Sequence, residues 1–295
     1  TVRVPIAVCG GGAAGSAAAQ VLAQRGASFL LLEREGVLGG RLVNGATGPD
    51  ALRPPEARAL PQGSVRLNTT AIGLYDDADG RYLAAVSHGP EGARLLKVYA
   101  EQFLLTVGGH PQLPPFENND LPGIFSGQAV SALIRRHGLL PGEQAAVVGE
   151  GEELAQVARL LEQHGAKLVA VVDTAGQPRP GAHPRAVHGR ELKARGRSEV
   201  AGLAFTRGDG ERVKVRCDVI AVAMPPSPAF ELARQGGANV EFLPELGVFG
   251  VMADEHGRTS AKGLFVAGDA RGGMSAVRAV ESGRKTAEAM LGGAR

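Results

Sequence analysis

The chain contains the same local pattern twice. Each copy is an apolar run, a glycine-rich turn, a helical stretch and a second apolar run that ends in an acidic residue. The first copy begins with "VPIAVC" at residues 4–9 and ends at Glu33, and the second lies within "EQAAVVGEGEELAQVARLLEQHGAKLVAVVD" and ends at Asp173. Short apolar runs bounded by turns predict buried strands, and two parallel strands joined by a helix form the basic unit of open α/β sheets. The repeat therefore predicts an α/β fold with two Rossmann-like three-layer domains.

The first glycine turn matches a dinucleotide-binding fingerprint. Gly10, Gly12 and Gly15 fit G-x-G-x-x-G, where the glycines allow a tight bend, close approach of the backbone to a pyrophosphate, and close packing of helix on sheet. The pyrophosphate then lies at the amino end of the helix, where free N–H groups and the helix dipole favour negative charge. Glu33 can accept hydrogen bonds from a ribose 2′-OH and would repel a 2′-phosphate. The sequence predicts a site for FAD or NAD rather than NADP.

The second glycine turn departs from the fingerprint. Gly149 and Gly151 are kept, but Leu154 stands where the third glycine would be. Glutamates at 150, 152 and 153 lie in and beside the first helical turn, where they interact favourably with the dipole and compete for the N–H groups that a pyrophosphate would use. We interpret this turn as a degenerate nucleotide site, with NAD(P)H binding there as the open alternative.

Composition limits the classes of function. The 32 basic and 30 acidic residues are spread along the chain and give a formal net charge of +2, so we expect a small-molecule partner and no nucleic acid. The two cysteines form no C-x-x-C pair, and the histidines show no metal-ligand spacing, so any redox chemistry requires a bound cofactor and no metal is expected. No apolar stretch approaches the roughly 20 residues that span a bilayer. A cytoplasmic location is the simplest expectation.

Three further segments complete the first unit. "VLGGR" at residues 37–41 supplies flexible backbone and a cation near the expected cofactor. Residues 64–106 contain short strand-like runs split by "DADG" and "GPEG", which predicts a β-meander before the chain re-enters the first sheet. Towards the end of the chain, a strand at 264–267 leads through a Gly-Asp turn into a helix from about Met274. Asp269 could accept a hydrogen bond from a ribityl hydroxyl or serve as a turn residue.

The chain order predicts a discontinuous first domain. Residues 1–112 plus 240–295 should form the cofactor-binding domain, with 113–239 inserted as the second domain. The prolines in "GGHPQLPPF" and "MPPSPAF" mark the expected crossovers between them.

With these motifs assembled, the chain resembles the two-dinucleotide-binding-domain flavoproteins, a group that includes thioredoxin reductase. The resemblance is carried by "GGGAAG" with Glu33, "LLTVGG" at 104–109, the second glycine turn and "GLFVAGDARGG" at 263–273. Within that group, "NTTAIGLYD" and "PFENNDLPGIFSGQAVSALIRRHGLLPGEQAAVVG" are most similar to the alpha subunits of heteromeric amine and amino-acid oxidases. These include heterotetrameric sarcosine oxidase, hydrogen cyanide synthase, opine oxidase and the dye-linked hydroxyproline and proline dehydrogenases.

The resemblance implies a subunit that binds FAD in its first domain and passes electrons. A beta subunit of D-amino-acid-oxidase type would oxidise the amine, and a small iron–sulfur subunit is a further implied partner. NAD or another adenine nucleotide remains an alternative ligand of the first site. The expected cofactor-binding residues, with no catalytic residue assigned, are Gly10, Gly12, Ala13, Ala14, Gly15, Glu33, Arg34, Gly40, Arg41, Thr106, Gly108, Gly268, Asp269, Met274 and Ser275.

Two other functions remain open from the sequence. One is a free-standing NAD(P)H-dependent flavin reductase of thioredoxin reductase type that lacks the redox dithiol. The other is a non-catalytic nucleotide-binding scaffold that stabilises a partner oxidase.

Overall fold

The computed structural model describes residues 1–44, 59–176, 183–244 and 246–292. The chain divides into two compact units. Unit 1 takes in residues 1–43, 48–110 and 227–295, and unit 2 takes in 44–47 and 111–226. The chain passes from unit 1 to unit 2 after residue 110, close to the predicted boundary at 112/113. It returns to unit 1 after residue 226, earlier than the predicted 239/240. The domain boundaries drawn from the sequence stay a prediction.

The helices and strands follow one another in a regular α/β order. Up to residue 110 they are β1 (Val2–Cys9), α1 (Ala13–Gln24), β2 (Phe29–Leu32), α2 (Arg41–Asn44), β3 (Val65–Arg66), β4 (Thr69–Asp77), β5 (Gly80–Gly89), β6 (Gly92–Leu105) and β7 (Gly109–His110). Unit 2 then contains β8 (Ile124–Ser126), α3 (Gly127–His137), β9 (Gln144–Gly149), α4 (Gly151–Gln163), β10 (Lys167–Asp173), β11 (Ala186–Gly196), β12 (Val200–Arg207), β13 (Arg212–Val215) and β14 (Val219–Ala223). The return to unit 1 adds β15 (Ser227–Pro228), α5 (Glu231–Gln235), β16 (Val240–Leu243), β17 (Val248–Val251), β18 (Leu264–Val266), a 3-10 turn (Gly268–Arg271) and α6 (Ala276–Gly292).

The sheet of unit 1 is built around β1 and the long strand β6. Strands β3, β2, β1 and β6 lie side by side in parallel, and β18 pairs in parallel with the carboxyl end of β6. The amino-terminal part of β6 pairs antiparallel with β5, which pairs with β4. The β-meander predicted within 64–106 is therefore confirmed, and its last strand is also a strand of the parallel sheet.

The sheet of unit 2 repeats the same spatial order. Its parallel strands are β11, β10, β9, β14 and β8, so that β9 and β10 occupy the places that β1 and β2 have in unit 1. Strands β12 and β13 extend the β11 edge as an antiparallel meander. Strand β14 is fully buried, and so is β9 after its first residue, because both faces are covered, as their continuous apolar sequences require. The predicted α/β class with two Rossmann-like units is confirmed.

In the described part of the chain, no helix combines the length and apolar character needed to cross a membrane. The same residues contain no group of three or more His, Cys, Asp or Glu side chains arranged to hold a metal ion.

Candidate functional site

Two of the three fingerprint glycines in the first turn pack against the backbone, and the third faces open space. A Cβ atom on Gly10 would lie 2.4 Å from the carbonyl oxygen of Thr106, and one on Gly15 would lie 1.8 Å from the carbonyl oxygen of Gly10. Gly10 also has φ +100°, which favours glycine. At Gly12, by contrast, a Cβ would meet nothing within 4 Å. Two glycines therefore allow the turn and helix α1 to pack, while Gly12 faces free space at the amino end of α1.

Glu33 fixes the end of β2 against this turn. Its carboxylate is buried; Oε2 accepts a hydrogen bond from the Gly11 N–H at 2.6 Å and Oε1 accepts one from the Glu35 N–H at 2.8 Å. A carboxylate has about four acceptor positions, so it retains capacity for ribose hydroxyls. Neighbouring Arg34 is exposed and forms an ion pair with Glu35.

Thr106 lies under the turn rather than beside open space. Its buried hydroxyl is 2.7 Å from the Gly10 carbonyl oxygen and 3.0 Å from that of Cys9, and it can donate to either. The side chain therefore holds the backbone of the turn in place. Gly108 follows with φ +77°, and its carbonyl accepts a hydrogen bond from the Ala229 N–H at 3.1 Å.

Two sequence-distant motifs meet in an ion pair. The Arg41 guanidinium Nη1 lies 2.9 Å from Asp269 Oδ2, and Asp269 Oδ1 accepts a hydrogen bond from the Met274 N–H at 2.9 Å. Gly40, just before Arg41, has φ +51°, and a Cβ there would lie 3.0 Å from the Gly12 Cα. The structure thus brings the 40–41 segment, the Gly-Asp turn and the first glycine turn together in unit 1.

Helix α6 packs tightly on α1 through small residues that the sequence reasoning did not single out. A Cβ on Gly283 would lie 2.0 Å from the Ala14 carbonyl oxygen, and one on Gly268 would lie 2.9 Å from the Ala14 Cβ. The Ser282 hydroxyl accepts a hydrogen bond from the Gly268 N–H at 3.3 Å. The sequence contains a sign of this packing, since Ser282 and Gly283 are adjacent small residues in the middle of the helix. Ser275 lies just before α6, and its hydroxyl oxygen is 3.4 Å from the Arg278 N–H.

The second glycine turn is built differently. Leu154, in the place of Gly15, is fully buried in the unit 2 core, and α4 already begins at Gly151 with φ +59°. Glu152 accepts a hydrogen bond from the Gln156 side chain, and Glu150 accepts one from the Thr174 hydroxyl at 3.2 Å. Asp173 accepts a hydrogen bond from the Ala175 N–H. Glu150 and Glu152 are therefore engaged with side chains of the protein itself.

The thiols of the two cysteines have a raised pKa. Burial, together with the nearby Glu33 carboxylate, raises the pKa of the Cys9 thiol to about 12. Burial and Asp218 raise the pKa of the Cys217 thiol to about 12 as well. Thiols with such a pKa remain protonated at neutral pH and are poor nucleophiles.

Known proteins are similar to this chain over nearly its whole length. Residues 4–283 match the family model described as "Pyridine nucleotide-disulphide oxidoreductase". The alpha subunit of sarcosine oxidase from Rhizobium meliloti (strain 1021) is 28% identical over 307 residues, which cover 96% of this chain and 30% of that protein. An opine oxidase subunit from Agrobacterium tumefaciens (strain Ach5) is 25% identical, over 96% of this chain and 64% of that protein. The chain thus spans less than two thirds of the length of each relative.

Among solved structures, L-proline dehydrogenase from P. horikoshii superposes with a TM-score of 0.77 at 23% sequence identity. The match covers 99% of this chain and 56% of that chain. At this level of identity the likeness establishes the fold alone.

Proposed function

The chain belongs to the pyridine nucleotide-disulphide oxidoreductase family of FAD-dependent oxidoreductases, and from this premise we propose that it is the FAD-binding, electron-transferring part of a heteromeric amine or amino-acid dehydrogenase or oxidase. In this proposal a partner of D-amino-acid-oxidase type oxidises the substrate, and a small iron–sulfur subunit is a further partner. The relatives support the proposal because they are themselves subunits of sarcosine and opine oxidases. A cytoplasmic location stays a prediction.

The observation that carries the proposal is the open side of the first glycine turn. Because nothing lies within 4 Å of a Cβ at Gly12, the amino end of α1 is accessible to a diphosphate. Glu33 lies at the end of β2 with acceptor capacity left for ribose hydroxyls. The residues present therefore fit the adenosine diphosphate half of FAD, with Gly12, Ala13 and Ala14 facing the phosphates.

The remaining half of FAD would extend towards the Gly-Asp turn. Arg41 holds one oxygen of Asp269 by an ion pair, and the Met274 N–H holds the other, so the protein itself orients this carboxylate. The amino end of α6 begins nearby, at Ala276, where the helix dipole favours negative charge. When bound, FAD would supply the group that accepts two electrons and passes them on.

In the proposal the second glycine turn does not bind NAD(P)H. Buried Leu154 occupies the place of the third glycine, and glutamate side chains lie at the amino end of α4. A pyrophosphate there would lie beside carboxylates that are also negatively charged, and the repulsion would weaken its binding.

The test is to purify the chain, record its absorption spectrum and identify by mass the nucleotide released on denaturation. The proposal predicts bound FAD, slow flavin reduction by NADH or NADPH in stopped flow, and no full-rate oxidation of amines by this chain alone. Fast reduction by NADH would indicate a free-standing reductase of thioredoxin reductase type. A colourless protein with only an adenine nucleotide would indicate a non-catalytic scaffold.

A further inference from the structure

One face of the β11–β13 meander in unit 2 is strongly basic. Leu192, Ala194, Val213 and Val215 of the outer strands point into the unit 2 core. Because side chains alternate along a strand, their neighbours point the other way, and a register shift between residues 190 and 193 keeps residue 190 on the same outward side. The outward side chains that form this basic face are Arg190, Lys193, Arg195, Arg212, Lys214 and Arg216.

The strand register sets these cations side by side. Arg190 and Arg212 both pair with Thr206 on the middle strand, and Lys193 and Lys214 both pair with Ala204. The middle strand thus contributes small residues, while each outer strand contributes cations. Neighbouring strands are about 4.8 Å apart and alternate residues about 6.7 Å apart, so the Cα atoms of neighbouring cationic residues on the basic face are roughly 7–10 Å apart.

Few carboxylates balance this charge. Glu117 forms an ion pair with Lys193, and Glu191 accepts a hydrogen bond from the Thr206 hydroxyl. Within the described ranges, the other five cations of the basic face form no ion pair. All five are exposed. The chain as a whole is nearly neutral, with 32 basic and 30 acidic residues, so the excess is a local property of this surface.

Such an arrangement is stabilised by an anionic partner. At physiological ionic strength charges are screened over about 8 Å, so the cations at the shorter of these separations still repel one another. Most of the cations are arginines, whose planar guanidinium groups bind carboxylates through two parallel hydrogen bonds. The outward positions carry no aromatic side chain, whereas single-stranded nucleic acid is held largely by stacking of bases on aromatic rings.

We propose that the basic face is a docking surface for a protein partner with an acidic surface. Charge complementarity would steer the encounter and fix orientation more than it would add affinity. The proposal depends on the charges and register of unit 2 and not on the cofactor bound in unit 1. A failure of the FAD proposal would therefore leave it intact.

The test uses the full chain and a fluorescent poly-glutamate peptide of about 20 residues at low salt. Arg195→Gln with Lys214→Gln removes two cations from the basic face. The matched control is Arg135→Gln with Lys167→Gln, which removes one exposed arginine and one exposed lysine of unit 2 that lie on α3 and at the start of β10. We expect peptide binding to weaken about fivefold in the first variant and less than about twofold in the control.

Arg190→Gln with Arg212→Gln provides a second variant of the same face, and thermal unfolding verifies that each variant is folded. Equal losses in face and control variants, or no peptide binding by the parent chain, would overturn the proposal. So would tighter binding of a single-stranded DNA of equal length that depends on the same cations, because the face would then serve a nucleic acid.

Discussion

The two glycine turns have the same backbone topology but differ in what they leave open. In the first, Gly15 has no side chain, so α1 lies against the turn, and Gly12 faces free space. In the second, the Leu154 side chain fills the corresponding place and is buried in the core, with glutamates at the amino end of the helix. Both copies form the strand–turn–helix–strand unit, so this unit accepts either a glycine or a buried leucine at the third glycine position. The unit can keep its fold while a few side chains decide whether it has a site.

The largest expected effect follows from exchanging the residues at the third glycine position. Gly15→Leu places a Cβ at about 1.8 Å from the Gly10 carbonyl oxygen, so the turn or α1 must shift. We expect FAD affinity to fall more than about 100-fold and the free energy of unfolding to fall by more than the roughly 1–3 kcal/mol typical of overpacking. Isothermal titration of the apoprotein with FAD and urea unfolding measure these changes.

The reciprocal exchange, Leu154→Gly, serves as the contrast. It removes a buried leucine and places glycine in a helix, so we expect a loss of about 4 kcal/mol in unfolding free energy without any change in FAD affinity. If the two exchanges had the same effect on FAD binding, the distinction between the turns would be wrong.

The acidic residues at the carboxyl ends of β2 and β10, Glu33 and Asp173, should also differ in their effect on FAD affinity. Glu33→Gln places an amide NH₂ against the N–H of Gly11 or Glu35, because both carboxylate oxygens accept hydrogen bonds. We expect FAD affinity to fall about tenfold, read by fluorescence titration. Asp173→Asn in the second unit is the control and should leave FAD affinity unchanged. A comparable loss in both variants would mean that the effect is one of general stability.

A smaller effect is expected from removing the glutamates of the second turn. Glu152→Ala combined with Glu153→Ala removes two negative charges from the first turn of α4. We expect NADH binding to be undetectable in the parent chain and measurable but weak in the variant, with a dissociation constant on the order of 1 mM. Saturation-transfer NMR with NADH reports it. Tight NADH binding by the parent chain would contradict the interpretation of this turn as degenerate.

The smallest effect is expected at Cys9, whose counterpart in the second unit is Val148. Cys9→Val should leave FAD affinity and the flavin spectrum unchanged. Because the folded pKa is raised from 9.0 to about 12, the thiol contributes stability that is present below pH 9 and lost as pH rises to 12. The variant should lose less stability than the parent between pH 9 and 10.5, as measured by urea unfolding. Altered FAD binding would instead assign the thiol to the site.

The sequence predicted the parts of the fold that depend on local pattern. The two apolar runs of the second copy, predicted as buried strands, correspond to β9 and β10. The final helix begins at Ala276 rather than near Met274, because Met274 donates its N–H to Asp269 outside the helix. The earlier return to unit 1 was not visible, since it depends on pairing of β15 with β7 across more than a hundred residues.

The same limit applies to the candidate site. The glycines and Glu33 could be predicted because a fingerprint fixes their spacing. The ion pair of Arg41 with Asp269 joins residues that are 228 positions apart, and no local sequence pattern predicts such a contact. Thr106 was expected to contact cofactor, and the structure instead places its hydroxyl against the carbonyls of Cys9 and Gly10. Its role in binding stays a prediction.

The place of β18 in the chain has a consequence for biosynthesis. The strands of the unit 2 sheet lie between Ile124 and Ala223. The parallel sheet of unit 1 also requires β18, which is synthesised only when translation reaches Leu264–Val266. Domains generally fold as units during translation. Unit 2 can therefore mature on the ribosome first, while part of the β6 edge in the nascent amino-terminal half remains uncovered and prone to aggregation until its last neighbour emerges.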